Sequence, residues 1–133
     1  MMKKVVTVIL LSAMLLLALC ACDIKGETKN FNNMYSDYSA KSWCTIGADG
    51  SYMRIDTNPK DKTIYLSDLN DTVEPAMEAI ERVNKELGFG DSLMAKMNST
   101  TWSQGQQTDS NDNYKVSWTY HPDKGLEVMY EFK

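Results

Sequence analysis

The chain has 133 residues, of which 43% are hydrophobic and 24% are charged, and its formal net charge at neutral pH is −4. Nucleic acids and anionic membrane faces are bound by clustered Lys and Arg, so this acidic balance argues against both as direct partners. The length is close to the most common domain size and predicts one domain with one modest core.

The first 22 residues have the layout of an export signal. Met1–Lys4 is short and positive, Val5–Leu19 is almost wholly apolar, and a polar stretch begins at Asp23. The apolar run of about 15 residues spans roughly 22 Å at 1.5 Å per residue, which is short of the ~30 Å hydrocarbon core of a bilayer. The stretch therefore predicts a signal peptide rather than a lasting transmembrane helix.

The tetrad Leu19-Cys20-Ala21-Cys22 ends this signal and resembles the lipobox of bacterial lipoproteins. The resemblance makes Cys22 the lipid-attachment residue, with Ala21 as the small residue before the cleavage site. It implies removal of residues 1–21, a diacylglycerol thioether on Cys22 and a further acyl chain such as palmitate; two or three chains anchor a protein firmly. The implied location is the cell membrane, on its extracytoplasmic side. An ordinary signal peptide with incidental cysteines is the alternative.

Residues 22–42 predict a flexible tether, because they are polar and show no sustained apolar period. About 20 flexible residues have an r.m.s. reach of roughly 25 Å. Met34, Tyr35 and Tyr38 can instead form a helical turn that docks on the body, which would end the tether near Phe31. Residues 43–133 are predicted to form a single domain.

The dipeptide Asp49-Gly50 predicts a β-hairpin over Trp43–Thr57, because it tolerates the positive φ of a two-residue turn. The register of that turn places apolar residues opposite each other on the inward face. These pairs are Ile46 with Met53 and Cys44 with Ile55. Residues 63–66 are β-branched and aromatic, which fits either a short edge strand or a loop.

The strongest periodic signal predicts a helix over Asp71–Leu87, with one apolar stripe and a charged outer face. Asp71 and Glu74 have the spacing of a capping box, and Pro75 would lie in the first turn. Gly88 supplies the left-handed residue that ends a helix.

Weaker signals follow this helix. A second, short helix is predicted to start at Asp91 or Ser92, with Leu93 and Met97 on one face. Thr100–Gln107 is then a predicted strand, and residues 108–113 are a predicted polar loop.

A period of two predicts a C-terminal hairpin over residues 114–121 and 126–132. Placing the alternating apolar residues of both strands on one face of the hairpin requires an odd-length connection or a bulge at Gly125. The same register sets Lys115 opposite Glu131 on the solvent side. It pairs Tyr120 with Leu126 and Trp118 with Val128, and it assigns Trp118, Tyr130 and Phe132 to the core.

These elements predict an α+β fold: an antiparallel sheet, made of the N-terminal hairpin and three C-terminal strands, packed by one long and one short helix. The order of helix, short helix and three strands resembles small lipoprotein modules of the BamE and β-lactamase-inhibitor-protein type. Leu87-Gly88 stands at the helix end, and Trp118-x-Tyr120 and Leu126-x-Val128 stand on strands, as in that group. The resemblance implies a protein-binding sheet face and no catalysis. The mature domain also resembles small uncharacterised lipoproteins of Gram-positive bacteria, which implies a location and no activity.

The sequence offers few residues for chemistry. His121 is the single histidine, and Cys44 is the only cysteine left once Cys22 is acylated, so no intramolecular disulfide is possible. One His and one free Cys cannot supply a usual zinc set, and no phosphate-binding glycine loop is present. We therefore expect no metal and no cofactor.

Three functions fit this pattern. The first is a non-enzymatic module that binds a protein or a cell-wall ligand, with the aromatic residues Trp43, Tyr52 and Trp102 as the candidate binding surface. The second is a small hydrolase or thiol enzyme that uses Cys44 or His121, alone or together as a dyad. The third is an accessory subunit of a membrane assembly.

Overall fold

The computed structural model describes residues 29–133. The predicted signal peptide and the lipid-attachment residue Cys22 lie outside them. The described residues confirm the α+β fold, because they form one five-stranded antiparallel sheet in the order β1-β2-β5-β4-β3 with helices packed on one face. The strands are β1 (Cys44–Ile46), β2 (Tyr52–Asp56), β3 (Gln107–Ser110), β4 (Tyr114–His121) and β5 (Gly125–Phe132). The helices are α1 (Phe31–Met34), the long α2 (Leu66–Glu86) and α3 (Asp91–Ser99).

The N-terminal hairpin has the predicted register. Cys44 pairs with Ile55 and Ile46 pairs with Met53. The connection is longer than the predicted two-residue turn, because the last inter-strand bond joins the Gly47 N–H to the Tyr52 carbonyl and the Gly50 N–H bonds back to the Gly47 carbonyl. The register survives because the extra residues lie symmetrically about Asp49-Gly50.

The ordered body begins earlier than residue 43. Residues 31–38 form α1 and a short 3-10 turn, and Phe31, Tyr35 and Tyr38 are all buried in the core. The flexible tether predicted for residues 22–42 therefore does not extend over residues 31–38, and the docked alternative holds there. Burial of three aromatic rings offsets the entropy lost in ordering a polar segment.

The long helix α2 starts five residues before the predicted Asp71. Its first turn, Leu66–Asp68, is capped by Asp68, whose carboxylate accepts the Tyr65 N–H at 3.0 Å. A π-helical turn follows at Leu69–Val73, and Glu74–Glu86 completes the element. The wider turn accommodates Pro75, which has no N–H to donate, so the proline does not mark the helix start.

The end of α2 and the start of α3 lie largely where they were predicted. Gly88 has φ of 80° and ends α2, and the Phe89 N–H bonds back to the Asn84 carbonyl at 2.9 Å. Helix α3 starts at Asp91 and buries Leu93 and Met97. None of the helices within residues 29–133 is long and apolar enough to cross a membrane.

The strand predicted for Thr100–Gln107 is wrong. Trp102–Gln104 forms a 3-10 turn, because the Gln104 side chain accepts the Thr101 N–H at 2.7 Å and Gly105 takes a positive φ. The strand β3 lies instead at Gln107–Ser110, mostly within the predicted polar loop. A polar edge strand has no apolar alternation, which is why the sequence pattern misses it.

The C-terminal hairpin confirms its prediction. Trp118 pairs with Val128 and Tyr120 with Leu126, while Gly125 has φ of 77° after a three-residue connection. Lys115 faces Glu131 with an N–O distance of 3.8 Å. Trp118 and Tyr130 are buried, and Phe132 is partly buried against the core.

The sheet has two distinct ends. We call the end with the β4–β5 turn (residues 122–124) and Thr57 the turn end. We call the end with the β1–β2 loop (residues 47–51) and the β3–β4 loop (residues 111–113) the loop end. Helix α2 runs from the turn end to the loop end, where the Asn111 side-chain amide donates to the Leu87 carbonyl at 2.9 Å.

Candidate functional site

An apolar groove of about 420 Å³ opens at the turn end, between the start of α2, the end of α3 and the β4–β5 turn. Its walls come from separate elements of the chain: Ile64 and Val73 from one side, Met77 and Met97 from the helices, and Tyr120 and Leu126 from the sheet. Met97 and Leu126 are buried and form the floor, whereas Tyr120 is 38% exposed at the rim. The groove is thus an opening in the hydrophobic core itself.

Buried polar side chains hold one rim of the groove in place. The Thr57 hydroxyl accepts the Leu126 N–H at 2.8 Å and donates to the Leu126 carbonyl at 3.1 Å. The buried Asn58 amide donates to the carbonyls of Lys62 and Asp123 at 2.8 and 2.9 Å. These bonds join the end of β2 to the β4–β5 turn, so this rim is set before any ligand arrives.

The chain segment between the lining residues Ile64 and Val73 carries exposed apolar side chains. Tyr65 is 65% exposed, Leu66 is 85% exposed and Leu69 is 37% exposed. All three lie between Ile64 and Val73, which line the groove. Single exposed apolar residues are ordinary on a surface, but a cluster beside an apolar opening is typical of a binding site.

The aromatic residues predicted to form one binding surface do not lie together. Trp43 is buried in a turn before β1, where its ring packs edge-on against Tyr38 with centroids 5.2 Å apart. Tyr52 is half-buried at the loop end, on the sheet face opposite the helices, and its ring lies over Gly47. Only Trp102, which is 64% exposed, is available to a partner. It follows Thr100, a lining residue of the groove, by two positions.

Cys44 and His121 do not form a catalytic pair. Cys44 is on β1 and His121 ends β4, and the sheet order separates these strands by β2 and β5, a distance of roughly 14 Å at about 4.8 Å per strand. Burial raises the pKa of the Cys44 thiol from 9.0 to about 11, with a smaller contribution from the Asp37 carboxylate. His121 is exposed, and its Nδ1 accepts the Asp123 N–H at 3.1 Å. The sequence hypothesis that joined these two residues is not supported by their placement.

A charged cleft lies on the other side of the turn end and includes His121. Its charges are mutually paired: Arg54 lies 3.6 Å from Glu127, and Lys124 lies 3.7 Å from Asp61. Burial raises the pKa of Asp56 in this cleft, although the Asn58 N–H and Arg54 partly oppose the effect. Paired and largely exposed charges of this kind contribute little to binding or stability.

Among residues 29–133, no group of three or more His, Cys, Asp or Glu side chains is placed to hold a metal ion. The absence of a cofactor and of catalysis stays a prediction from the sequence. Within the described part of the chain, the apolar groove is the site with the clearest capacity to take a ligand.

No protein-family model, no curated protein and no solved structure matches this chain. The resemblances in the lipobox and in the element order therefore remain sequence predictions.

The sequence analysis missed the groove because its walls are remote in sequence. Met77, Met97 and Leu126 belong to apolar patterns that predict core positions, and they are core residues with one side open. One signal was present: Tyr65-Leu66 lies outside the α2 stripe, in a segment with no predicted partner. Large apolar residues outside every amphipathic pattern are candidates for a surface site.

Proposed function

We propose that this protein is a lipid-anchored, extracytoplasmic module of a bacterial envelope that binds a protein partner by taking apolar side chains of a peptide segment into the turn-end groove. The lipobox supports the anchoring. The groove supports the binding, and the observation that carries it is a 420 Å³ apolar opening whose lining residues Ile64 and Val73 flank a segment with the exposed Tyr65, Leu66 and Leu69.

The composition of the groove favours a peptide over a rigid small molecule. Met77 and Met97 are unbranched and polarizable, so they adapt to side chains of different shapes. The exposed Asn98 adds a side-chain amide at the edge, which suits a backbone that passes over the groove. The Thr100 hydroxyl is already bonded to the Lys96 carbonyl and the Trp118 indole N–H. The volume is within the usual range of about 300–1,000 Å³ for ligand sites and accommodates a few side chains.

Trp102 extends this surface. Aromatic side chains dominate the binding energy of many protein interfaces, and Trp102 is exposed near the groove rather than in the core. It is the one member of the predicted aromatic surface that this proposal retains.

The anchoring is tested by mass spectrometry of the protein purified from bacterial membranes. We expect a polypeptide that begins at Cys22 and carries a diacylglycerol thioether and an acylated amino terminus. A Cys22→Ser variant should lose the lipid and leave the membrane fraction. An unmodified N-terminus, or one at another residue, would contradict the proposal.

The groove is tested with a phage-displayed library of short peptides, selected on the mature domain. We expect apolar peptides whose affinity falls about tenfold or more in Tyr120→Glu, because a carboxylate at the rim must be desolvated. Met34→Glu is the matched control, since Met34 is 43% exposed and Tyr120 is 38% exposed, and Met34 lies away from the groove.

A second variant separates the groove from general surface effects. Asn98→Trp fills the opening from an exposed helix position without removing any apolar wall, so it should block the same peptides while the protein stays folded. Peptides that bind both variants as tightly as the wild type would refute binding in the groove. Binding of soluble cell-wall fragments in the groove, in place of peptides, would replace the protein partner with a wall ligand.

A further inference from the structure

We infer that the groove faces away from the membrane and receives its partner from the extracytoplasmic space, because the chain leaves the folded domain toward Cys22 at the loop end. This orientation rests on the lipid attachment in the proposed function. The inference states that the loop end adjoins the bilayer. It also states which class of partner can reach the groove: a soluble or wall-borne protein rather than a segment embedded in the bilayer.

The N-terminal segment is bonded to the loop end by its backbone and side chains. The Phe31 N–H donates to the Gly50 carbonyl at 2.9 Å, and the Asn32 amide donates to the Gly47 carbonyl at 3.0 Å. On the neighbouring loop, the Lys29 ammonium donates to the Asn113 side chain at 3.1 Å. The first described residues therefore contact both loops of this end.

A row of aromatic rings keeps the segment in place. Phe31 is fully buried, and its ring stacks on Phe132 with centroids 4.4 Å apart. Tyr35 stacks on Tyr38 at 5.7 Å, and the Arg82 guanidinium of α2 lies 5.6 Å from the centre of the Tyr38 ring. Removing this segment would expose several buried rings to water, so the attachment point stays at the loop end while the domain is folded.

The groove is at the opposite end of the sheet. Strand β4 runs from Tyr114, which packs near Phe31 at the loop end, to His121 beside the β4–β5 turn. Its seven steps at about 3.3 Å separate the two ends by roughly 23 Å. Tyr120 and Pro122, which line the groove, lie at the far end of this distance.

The chain between Cys22 and Lys29 is short. It has seven steps in the sequence, so its span is at most about 25 Å and its r.m.s. reach as a flexible chain is roughly 15 Å. The groove can therefore touch the bilayer only if the domain lies on its side, or if it is inverted with this chain almost fully extended over the roughly 23 Å between the two ends. The r.m.s. reach of roughly 15 Å makes the extended arrangement entropically unfavourable.

The charge of the face that carries α2 disfavours a domain that lies on that side against an anionic membrane. The outer face of α2 carries exposed carboxylates at Glu74, Glu78 and Glu81, against the bases Arg82 and Lys85. The chain after residue 21 has a net charge of −6, because residues 1–21 hold two of the 14 basic residues and none of the 18 acidic residues. Like charges on the protein and the headgroups favour the upright arrangement.

The test measures which end is near the lipid. The chain from Cys22 to Lys133 is coupled through Cys22 to vesicles of phosphatidylcholine and phosphatidylglycerol that contain a maleimide lipid and a lipid-bound energy acceptor. Cys44 is buried and does not compete for the maleimide. A donor fluorophore is placed by unnatural amino acid incorporation at Asp112 in the loop end or at Asp123 in the turn end, both of which are exposed.

We expect energy transfer to be about twofold or more efficient from position 112 than from position 123, given the ~23 Å separation of the ends. Equal transfer from both positions, or stronger transfer from 123, would overturn the orientation. A flexible Gly/Ser insertion of about 20 residues between residues 28 and 29 should reduce the difference, because it lengthens the tether and leaves the docked segment intact. An unchanged difference would refute the role of the short tether.

This design separates the inference from the proposed function. The vesicle lipid is attached chemically, so the orientation is measured whether or not the cell acylates Cys22, and mass spectrometry decides the acylation independently.

Discussion

The two ends of this domain differ in how the hydrophobic core is covered. At the loop end the core is closed, because the N-terminal segment lays Phe31 against Tyr114 and Phe132 and bonds to both loops. At the turn end the core stays open, because nothing in the described chain covers Met77 and Leu126 in the same manner. The comparison shows that a small domain can fill one side of its core from its own chain and leave the other side open.

The two ends also differ in the interactions that stabilise them. A domain of this size buries only part of its unfolded surface, so each additional buried aromatic ring is a large fraction of its net stability. The loop end holds several such rings, whereas the turn end uses the hydrogen bonds of Thr57 and Asn58 to fix the frame of an opening.

The most severe test of the closed end is Phe31→Ala. We expect a loss of about 3–5 kcal/mol in the free energy of unfolding, because Phe31 is fully buried and its removal leaves a cavity under the segment. Urea denaturation measures the loss, and hydrogen exchange should show faster exchange for residues 31–38. Met34→Ala, in the same helix but 43% exposed, should stay within about 0.5 kcal/mol. Equal effects of the two variants would mean that the segment is not part of the core.

Cys44 tests whether dense packing continues along β1 toward the turn end. The folded-state pKa of its thiol is about 11 and the ordinary value is 9.0, so the unfolded state ionises first as the pH rises. The thiol's contribution to stability is therefore complete below pH 9 and is lost through pH 11, a decrease of about 2–3 kcal/mol.

Because buried tyrosines also respond to alkaline pH, the measured quantity is the difference in unfolding free energy between the wild type and Cys44→Ala. That difference should fall between pH 9 and pH 11, and the folded protein should react slowly with thiol reagents at neutral pH. A difference that does not depend on pH would place Cys44 in contact with solvent.

Thr57→Val tests the rigid rim of the open end. Valine has the same shape but removes the hydroxyl that bonds to both backbone groups of Leu126, so we expect a loss of about 1–2 kcal/mol in thermal or urea unfolding. Thr119→Val, at an exposed position on β4, is the control and should change stability little. A neutral Thr57→Val would show that the rim is not held by this side chain.

The smallest effect on stability is expected for Leu66→Ser, at the start of α2 between the lining residues Ile64 and Val73. Leu66 is 85% exposed, so the free energy of unfolding should change by no more than about 0.5 kcal/mol. Peptide binding should nevertheless weaken if this segment contacts the partner. A large loss of stability would assign Leu66 to the fold and remove it from the binding surface.

The sequence pattern predicted both hairpin registers, because in each the alternation of apolar residues and a turn residue require the same pairing. It failed where a local hydrogen bond decides the structure: Asp68 starts α2 before Asp71, and Gln104 holds a 3-10 turn in place of a strand. It was also wrong about Trp43, which it grouped with Trp102 as a candidate surface residue, because Trp43 is buried whereas Trp102 is exposed.

The sequence by itself determined the fold class and most of the residues that face the core, because these depend on periodicity and on local turn chemistry; the export signal stays a sequence prediction. Only the tertiary structure decided that residues 31–38 close one end of the core and that the other end stays open as a groove. Both depend on which distant segments meet, and the period of a strand or a helix carries no information about what covers its ends.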